Sequence, residues 1–513
     1  MKKIAALLLA MMMLLGTASF AAAESAPTVL TMWTFIAQHQ EFYEYMEGLW
    51  NEEHPDEQID IQVTTLGYDD MHNKLKVALA ADEGAPDICD VELGQFPNVL
   101  AYNDKLIDLT PYMADYMGDL VKARFEIYAK DGMYYGVPTH VGAMVAFYDK
   151  ALLESAGVNY EDIKTWEDWY QAGLKLKEAV PDAWMGTVET STQWVASLML
   201  AQQGADWQDG TNAFINTPEV LKIIQTQQSW LDAGICETCP GGQPDTEEGK
   251  AYIANNKIAT VVMPYWFMSR FTDELGDACK DRYVVAPCPV FEAGQIRSIG
   301  QGGTGTVVYA SGANPDLAAR FLVHVKISKL GNEQVWSFLG FDPINTSVWS
   351  DDAVMKTDDN KYNAYFIGYP VDALLEIRDE IGYVLSTSIS PTINNYLGAT
   401  LWNEVYVDHR DAAEALSDAQ EIIDGVLFDA SHRAVTEGRR EAPPPEPTGG
   451  ELSSPHPLLS RHARGEIGSH IISPLDRAHS VGYDGSGVVG AAPYRPPRPS
   501  RYSSSFVFQW KGR

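Results

Sequence analysis

The run VLTMWTF at residues 29–35 is the feature that most limits what this chain can fold into. It is apolar and rich in β-branched residues, as in a strand buried on both faces, and a helical pattern at residues 41–50 follows it. A strand and helix in this order form a βα unit, and ligands bind beyond the carboxyl ends of such strands. We therefore expect Trp33 and Phe35 at the mouth of a ligand cleft, with packing of Trp33 on the core as the alternative.

The chain begins like an exported protein. Lys2 and Lys3 precede an apolar run at residues 4–15, and three alanines stand before Glu24, so residues 1–23 read as a signal peptide cleaved after Ala23. No later stretch approaches the roughly 20 apolar residues of a membrane span. We expect a periplasmic or extracellular protein without a lipid anchor, because no cysteine follows the apolar run.

From residue 431 onward the composition changes. The segment 431–513 is rich in Pro, Ser, Gly and His, and arginine replaces lysine as the main basic residue. Apolar periodicity is absent, so we expect this tail to be disordered. It is either a partner-binding tail or the product of a frame-shifted or wrongly joined reading frame.

The chain is strongly acidic, with 37 basic against 70 acidic residues and a net charge of −33. Such a field repels nucleic acid and anionic surfaces, so we expect no nucleic-acid partner. The roughly 400 residues between the two ends exceed one simple core and suit two lobes.

Five cysteines allow two interpretations. Cys236 and Cys239 have the C-x-x-C spacing of redox and zinc sites, but Cys279 and Cys288 do not supply a second pair of matching spacing. We therefore expect no metal and a structural disulfide, either between Cys236 and Cys239 or across to the later pair. Cys89 lies in an apolar strand context and is expected to be a buried thiol.

The next elements place a carboxylate at the same rim as Trp33. Alternation predicts a second strand at residues 59–63, apolar spacing predicts a helix at residues 69–81, and a turn at residues 84–87 leads into a third strand. Glu92 stands just past the end of that strand.

A series of short motifs continues along the chain. GAPD at residues 84–87, GVP at 136–138, and FYDK at 147–150 are followed by TWEDW at 165–169, NTPEV at 216–220 and KIATVVM at 257–263. Thr165 and Asp168 have the spacing of a capping box, and Pro218 suits the first position of a helix. In this order the motifs resemble the extracellular solute-binding proteins of carbohydrate ABC importers, the group that includes maltodextrin-binding protein. The resemblance covers about residues 28–428, although Lys257 stands where the family commonly has glycine.

The resemblance implies an α/β architecture of two lobes, the type II periplasmic-binding-protein fold, with a mixed sheet flanked by helices in each lobe. Crossover segments form the hinge, near residues 139–146, 287–298 and 340–344. The implied domains are the first lobe at 24–139 with a return at 289–342, and the second lobe at 140–288 with closing helices at 343–430. Helical segments predicted at residues 373–381 and 412–428 finish the second lobe.

A sugar site needs flat apolar plates for the ring faces and directional polar groups for the hydroxyls. Each candidate for ligand contact has an alternative role. For the aromatic residues it is packing in the core, and for His140 it is a structural hydrogen bond. For Arg270 it is an ion pair, with Glu92 or at the surface. Gly303 belongs to a flexible turn, residues 302–305, before a strand predicted at 306–309. The expected ligand-binding residues are Trp33, Phe35, Glu92, His140, Trp194, Tyr265, Trp266, Arg270, Gly303 and Thr304.

These features predict a monomeric receptor that captures a mono- or oligosaccharide between its lobes and delivers it to the permease of an ABC importer, without a cofactor. Two alternatives remain: a binding protein of the same fold for another solute such as a peptide, and a secreted glycoside hydrolase. A hydrolase would need a pair of carboxylates, and no catalytic motif appears in the sequence.

Overall fold

The computed structural model describes residues 26–441, with side chains up to residue 430. The predicted signal peptide lies outside the described residues. So does most of the predicted tail, from residue 442 onward, while its predicted start at residue 431 falls inside the last helix, Ala412–Glu441.

The elements alternate between strands and helices along most of the described chain. The strands, numbered β1 to β16, lie at Thr28–Thr34, Ile59–Thr65, Ile88–Glu92, Ala129–Lys130, Met133–Tyr134, Val137–Pro138, Met144–Asp149, Ala183–Trp184, Gly186–Val188, Cys236–Thr238, Lys257–Ile258, Thr260–Pro264, Tyr283–Ala286, Ser298–Gly300, Thr304–Val308 and Ile381–Tyr383. The α-helices lie at Ala37–Glu53, Tyr68–Ala81, Phe96–Leu100, Thr110–Met113, Ala123–Glu126, Lys150–Ser155, Trp166–Ala179, Trp194–Gln202, Pro218–Asp232, Glu247–Asn255, Met268–Arg270, Pro315–Lys326, Lys329–Gln334, Asp352–Met355, Val371–Ile377, Ser390–Tyr396, Trp402–Tyr406 and Ala412–Glu441.

The first lobe is built on a five-stranded sheet with the strand order β2-β1-β3-β15-β6. The strands β2, β1 and β3 are parallel, as the opening βα pattern predicts, whereas β15 runs antiparallel to its neighbours β3 and β6. Because β15 pairs with β3, Thr304 lies opposite Glu92 at the rim of the sheet. The sheet is therefore mixed, and its β1 and β3 ends reach the same edge.

The second lobe contains the antiparallel sheet β12-β7-β13 and three short two-stranded pairs, two of them β9 with β10 and β8 with β11. Its main core is rich in tryptophan, with Trp169 packed 4.5 Å from Trp230 between ring centroids. The predicted capping box is confirmed: Thr165 accepts a hydrogen bond from the Asp168 amide, and the Asp168 carboxylate accepts one from the Thr165 amide. Pro218 opens its helix as predicted.

The chain passes between the sheets at three places that lie side by side. The first passage joins β6 to β7, and the second joins β14 to β15. The Gln301 amide donates to the Gly142 carbonyl at 2.8 Å, which ties the two passages together. The third passage lies near residues 340–344. From it, the Asp342 carboxylate accepts hydrogen bonds from the backbone amides of Gly142 and Ala143. The domain boundaries implied by the sequence are not tested by these contacts and stay predictions.

A buried ion pair lies within the first lobe. The Lys326 ammonium is 3.0 Å from the Asp90 carboxylate, and both side chains are fully buried. Lys326 also donates to Thr139 at 2.7 Å, and His39 contacts the second Asp90 oxygen at 2.9 Å. Burial alone would raise the pKa of Asp90, but Lys326 and these hydrogen bonds hold it well below its usual value. The cluster joins strand β3, two helices and the first passage between the sheets.

Three local predictions are wrong. All five cysteines are free buried thiols, so the predicted disulfide is absent from the described chain. Cys236 begins the extended strand β10, which carries the chain roughly 10 Å over three residues, too far for a bond between Cys236 and Cys239. The helix predicted at residues 373–381 is Val371–Ile377, followed by a strand. The strand predicted at 306–309 begins at Thr304, because the turn needs only the two glycines before it.

No helix within residues 26–441 is both long enough and apolar enough to cross a membrane.

Replacing Lys326 by Met should lower the free energy of unfolding by about 3–5 kcal/mol, because it leaves the Asp90 carboxylate buried without its partner. The matched control is Lys329→Met, which removes a solvent-exposed ion pair with Asp351 and should cost much less, because water screens that pair. Urea unfolding of both variants measures the difference, and equal losses would contradict a structural role for the buried pair.

Candidate functional site

A cavity of about 370 Å³ lies between the two lobes. The first lobe contributes the loop after β3, from Glu92 to Gln95, and the second lobe contributes the residues around Trp194. Gln301 and its neighbours on the second passage lie between these walls, and residues 384–395 complete the lining. The cavity thus stands at the carboxyl end of β3, where an open α/β sheet places its ligands.

Glu92 on the first wall is held in one position. Its carboxylate accepts hydrogen bonds from the Gly94 amide at 2.7 Å and from the Tyr68 hydroxyl at 3.1 Å, and its own amide donates to His72. Burial raises the pKa of Glu92, and the bonds from Gly94 and Tyr68 offset part of that rise. A fixed carboxylate of this kind accepts hydrogen bonds from hydroxyl groups.

Trp194 on the opposite wall begins the helix Trp194–Gln202, so its half-buried ring stands at a helix N-terminus. Its indole N–H donates to Gln243 at 2.9 Å, and its carbonyl accepts from the Gln301 amide group at 2.7 Å. Beneath it, the buried Glu189 carboxylate accepts from the Val195 and Trp194 amides. Burial raises the pKa of Glu189 to about 8.

Gly302 allows the passage between the lobes to approach the two tryptophans. Its φ of +66° is in the left-handed region, and a β-carbon there would lie 3.2 Å from Trp266 and 3.4 Å from Trp194. The Trp266 indole donates to the Gln301 carbonyl at 3.2 Å, and its ring meets that of Trp194 edge to face at 6.0 Å. A side chain at residue 302 would be strained by this φ and would crowd the Trp266 indole.

The chemistry of the lining is neutral and polar. Among the described residues that line the cavity, Glu92 is the one charged side chain. Amides line it at Gln95, Gln193, Gln208, Gln301, Asn394 and Asn395, and hydroxyls line it at Tyr68, Ser191, Thr192, Ser197, Ser386 and Ser390. With Trp194 and Trp207 as apolar surfaces, this combination suits a neutral ligand that carries many hydroxyl groups.

Of the residues predicted from the sequence, Glu92 and Trp194 line this cavity. Trp33 does not: its ring packs in a hydrophobic cluster of the first lobe, with the Lys74 ammonium 3.9 Å away. Phe35 packs edge to face against Tyr68 at 5.3 Å and so stands behind a lining residue.

The second-lobe and hinge candidates lie behind the lining. Tyr265 is fully buried, and Trp266 backs the ring of Trp194. His140 is buried against Phe341, and neither of its ring nitrogens has a partner among the described residues. Arg270 does not pair with Glu92. It forms an ion pair with Asp245 instead, donating from Nε at 2.9 Å and from Nη2 at 3.3 Å, in agreement with the alternative of an ion pair away from the ligand.

The predicted glycine and threonine support the rim. The Gly303 carbonyl accepts from the Leu93 amide at 3.0 Å, and its φ of +86° keeps the turn tight beside Arg124. Thr304 bonds Thr139 through their hydroxyls at 2.6 Å.

Most of the polar lining was not predicted from the sequence, above all the amides and the segment at residues 384–395. One pattern could have indicated that segment: a run of Ser, Thr, Pro and Asn between two helical patterns predicts an exposed loop. Gln301 directly precedes Gly302 and Gly303. The turn that these glycines predict could have indicated Gln301 as a loop residue near the site.

Comparison with known proteins gives a consistent result. The family described as bacterial extracellular solute-binding protein matches residues 36–326. An arabinooligosaccharide-binding protein of Halalkalibacterium halodurans is 38% identical over 400 residues, which cover 77% of this chain and 89% of that protein. One of the same description from Bacillus subtilis is 38% identical over 391 residues, covering 74% of this chain and 89% of that protein.

Among solved structures, the sugar-binding protein MalE of Xanthomonas citri has the same fold. It superposes with a TM-score of 0.67 at 19% identity, over 80% of this chain and 99% of that one.

Replacing Glu189 by Gln should change how stability depends on pH. Because burial raises the pKa of Glu189 from 4.5 to about 8, its contribution to stability is present below pH 4.5 and is lost as the pH rises to about 8. The variant should therefore match the wild type at pH 4, below the unfolded-state pKa, and exceed its free energy of unfolding at pH 8 by about 2–5 kcal/mol.

Urea unfolding at both pH values measures this difference. The control Glu167→Gln changes an exposed residue and should keep the wild-type dependence. Parallel profiles for the wild type and Glu189→Gln would contradict the assignment.

Proposed function

The chain belongs to the family of bacterial extracellular solute-binding proteins, and from this premise we propose that it captures an oligosaccharide between its lobes and delivers it to an ABC importer. Members of this family bind solutes and are not enzymes. A glycoside hydrolase is therefore excluded. The cavity agrees with this exclusion, because Glu92 has no second carboxylate beside it among the described lining residues.

The observation that carries the proposal is the neutral, amide- and hydroxyl-rich lining around two tryptophans. An anionic ligand would leave its charge desolvated in such a cavity, because no cationic side chain is among the described lining residues, and this costs several kcal/mol. A sugar has no charge, and its hydroxyls find acceptors in Glu92 and donors in the amides. A peptide would bring a C-terminal carboxylate, for which the described lining offers no cationic side chain.

The relatives refine the ligand class. Both are arabinooligosaccharide-binding proteins and match about three quarters of this chain at 38% identity. We infer that the ligand here is an arabinooligosaccharide or a closely similar neutral saccharide.

The residues take different roles in this proposal. Trp194 is the plate for one sugar ring, and Glu92 accepts hydrogen bonds from hydroxyls. Trp266 packs against the Trp194 ring at 6.0 Å and holds it in place. Phe35 packs against Tyr68 at 5.3 Å and holds that lining residue in place. The other residues predicted from the sequence support the cavity walls and the hinge. They are Trp33, His140, Tyr265, Arg270, Gly303 and Thr304. We propose a monomer that binds no nucleic acid, is exported through its predicted signal peptide, and presents its closed lobes to the permease.

Replacing Trp194 by Ala should weaken arabinooligosaccharide binding at least about tenfold, since a sugar ring would lose its aromatic plate. Trp194→Phe keeps a plate and should lose less. The control Trp184→Ala removes a half-buried tryptophan that lies under Lys177 and lines no part of the cavity. Isothermal titration calorimetry measures the dissociation constants, and wild-type affinity in Trp194→Ala would count against the cavity as the binding site.

The salt dependence of binding tests the neutral character of the ligand. Raising the salt concentration from about 0.02 to about 0.5 M should change the dissociation constant by less than about twofold, because screening acts on charged pairs. A charged solute would lose affinity strongly over the same range. A saccharide affinity that falls tenfold or more would contradict the proposal.

A further inference from the structure

Residues 384–388 form a strap that lies between the lobes. Its base is held by the second lobe: the Leu385 amide donates to Asp206 at 2.8 Å, and Gln208 donates to the Leu385 carbonyl at 3.1 Å. Its middle reaches the first lobe, where the Ser386 hydroxyl donates to the Leu93 carbonyl at 3.2 Å. The strap is thus anchored on one lobe and closes against the other.

A second cavity, of about 590 Å³, lies on the far side of the strap. Its first-lobe wall is apolar at Pro97, Leu100 and Ile127, with Glu126 and Lys130 at its edge. On the other side stands Tyr383, which ends β16 and keeps 46% of its surface exposed. Leu385 and Ser386 line both cavities.

We propose that this second cavity binds the part of an oligosaccharide chain that extends beyond the interlobe cavity. The inference rests on the proposed function and adds chain length to it. A linear saccharide leaves the first cavity across Leu385 and Ser386, the residues common to both, and its next units lie against the Tyr383 ring.

The sizes agree with this division. Ligand cavities usually have about 300–1,000 Å³, so the first cavity, at about 370 Å³, is near the small end of that range. With the second cavity of about 590 Å³, the site reaches the large end. The composition fits as well, because an exposed aromatic ring beside aliphatic side chains stacks on sugar rings, while Glu126, Lys130 and the strap hydroxyls reach their edges.

The test compares Tyr383→Ala with the wild type over a graded series of arabinooligosaccharides, starting from the disaccharide. Wild-type affinity should rise with chain length until the chain reaches the second cavity. Tyr383→Ala should bind the disaccharide like the wild type and bind the long members about threefold to tenfold more weakly. Calorimetric titration measures each dissociation constant.

Two further variants sharpen the test. Tyr45→Ala removes a similarly exposed tyrosine, 42% against 46%, that lines neither cavity, and it should match the wild type throughout. Ala101→Trp fills the second cavity from an exposed position with ordinary helical backbone angles, and it should weaken only the long chains.

The outcomes separate the two claims. If the wild type binds the series but affinity does not depend on length, or depends on it equally in Tyr383→Ala and Ala101→Trp, the second cavity is not a subsite and the inference fails alone. If the wild type binds no member, including the disaccharide, the proposed function fails and this inference with it.

Discussion

The ion pair between Asp90 and Lys326 is the interaction on which the geometry of the site depends. Both side chains are fully buried, so each charge needs the other, and moving either element would leave a charge without a partner. Asp90 stands two residues before Glu92 on β3, and Lys326 also bonds Thr139 at the start of the first passage between the sheets. The pair therefore fixes the cleft rim and the hinge to the same rigid core.

A second set of contacts holds the opposite wall. Gln301 connects the passage to both tryptophans, since its carbonyl accepts from Trp266 and its amide group donates to the Trp194 carbonyl. Asp342 closes the same region by accepting from Gly142 and Ala143, and burial raises its pKa to about 7. Hydrogen bonds to backbone groups thus tie the three passages to one another beside the wall that holds Trp194.

Local features were predictable where short-range physics decides them. The β1 strand, the capping box of Thr165 and the proline-led helix at Pro218 follow from patterns of a few residues, and Glu92 was placed correctly at the end of its strand. Trp33 shows the limit: its strand was predicted, but the pleat turns its ring sideways under Lys74, a contact 41 positions away that no local pattern contains. The lining amides and the strap were not predicted. The packing of the two lobes decides which loops meet across the cleft, and no local pattern in the sequence contains that packing. The spacing of Cys236 and Cys239 led to a wrong prediction of a disulfide, because the extended strand β10 holds the two thiols apart.

Hydrogen–deuterium exchange with and without a long arabinooligosaccharide tests the central claim most directly, because it reports where on the chain the ligand binds. The account predicts slower exchange at four segments of the cavity: residues 92–95, 191–194, 300–302 and 384–395. The groove around Tyr148 and Tyr369 in the second lobe should keep its exchange rates and serves as an internal reference. Unchanged exchange at the four segments under saturating ligand, or protection confined to the reference groove, would contradict a saccharide site between the lobes.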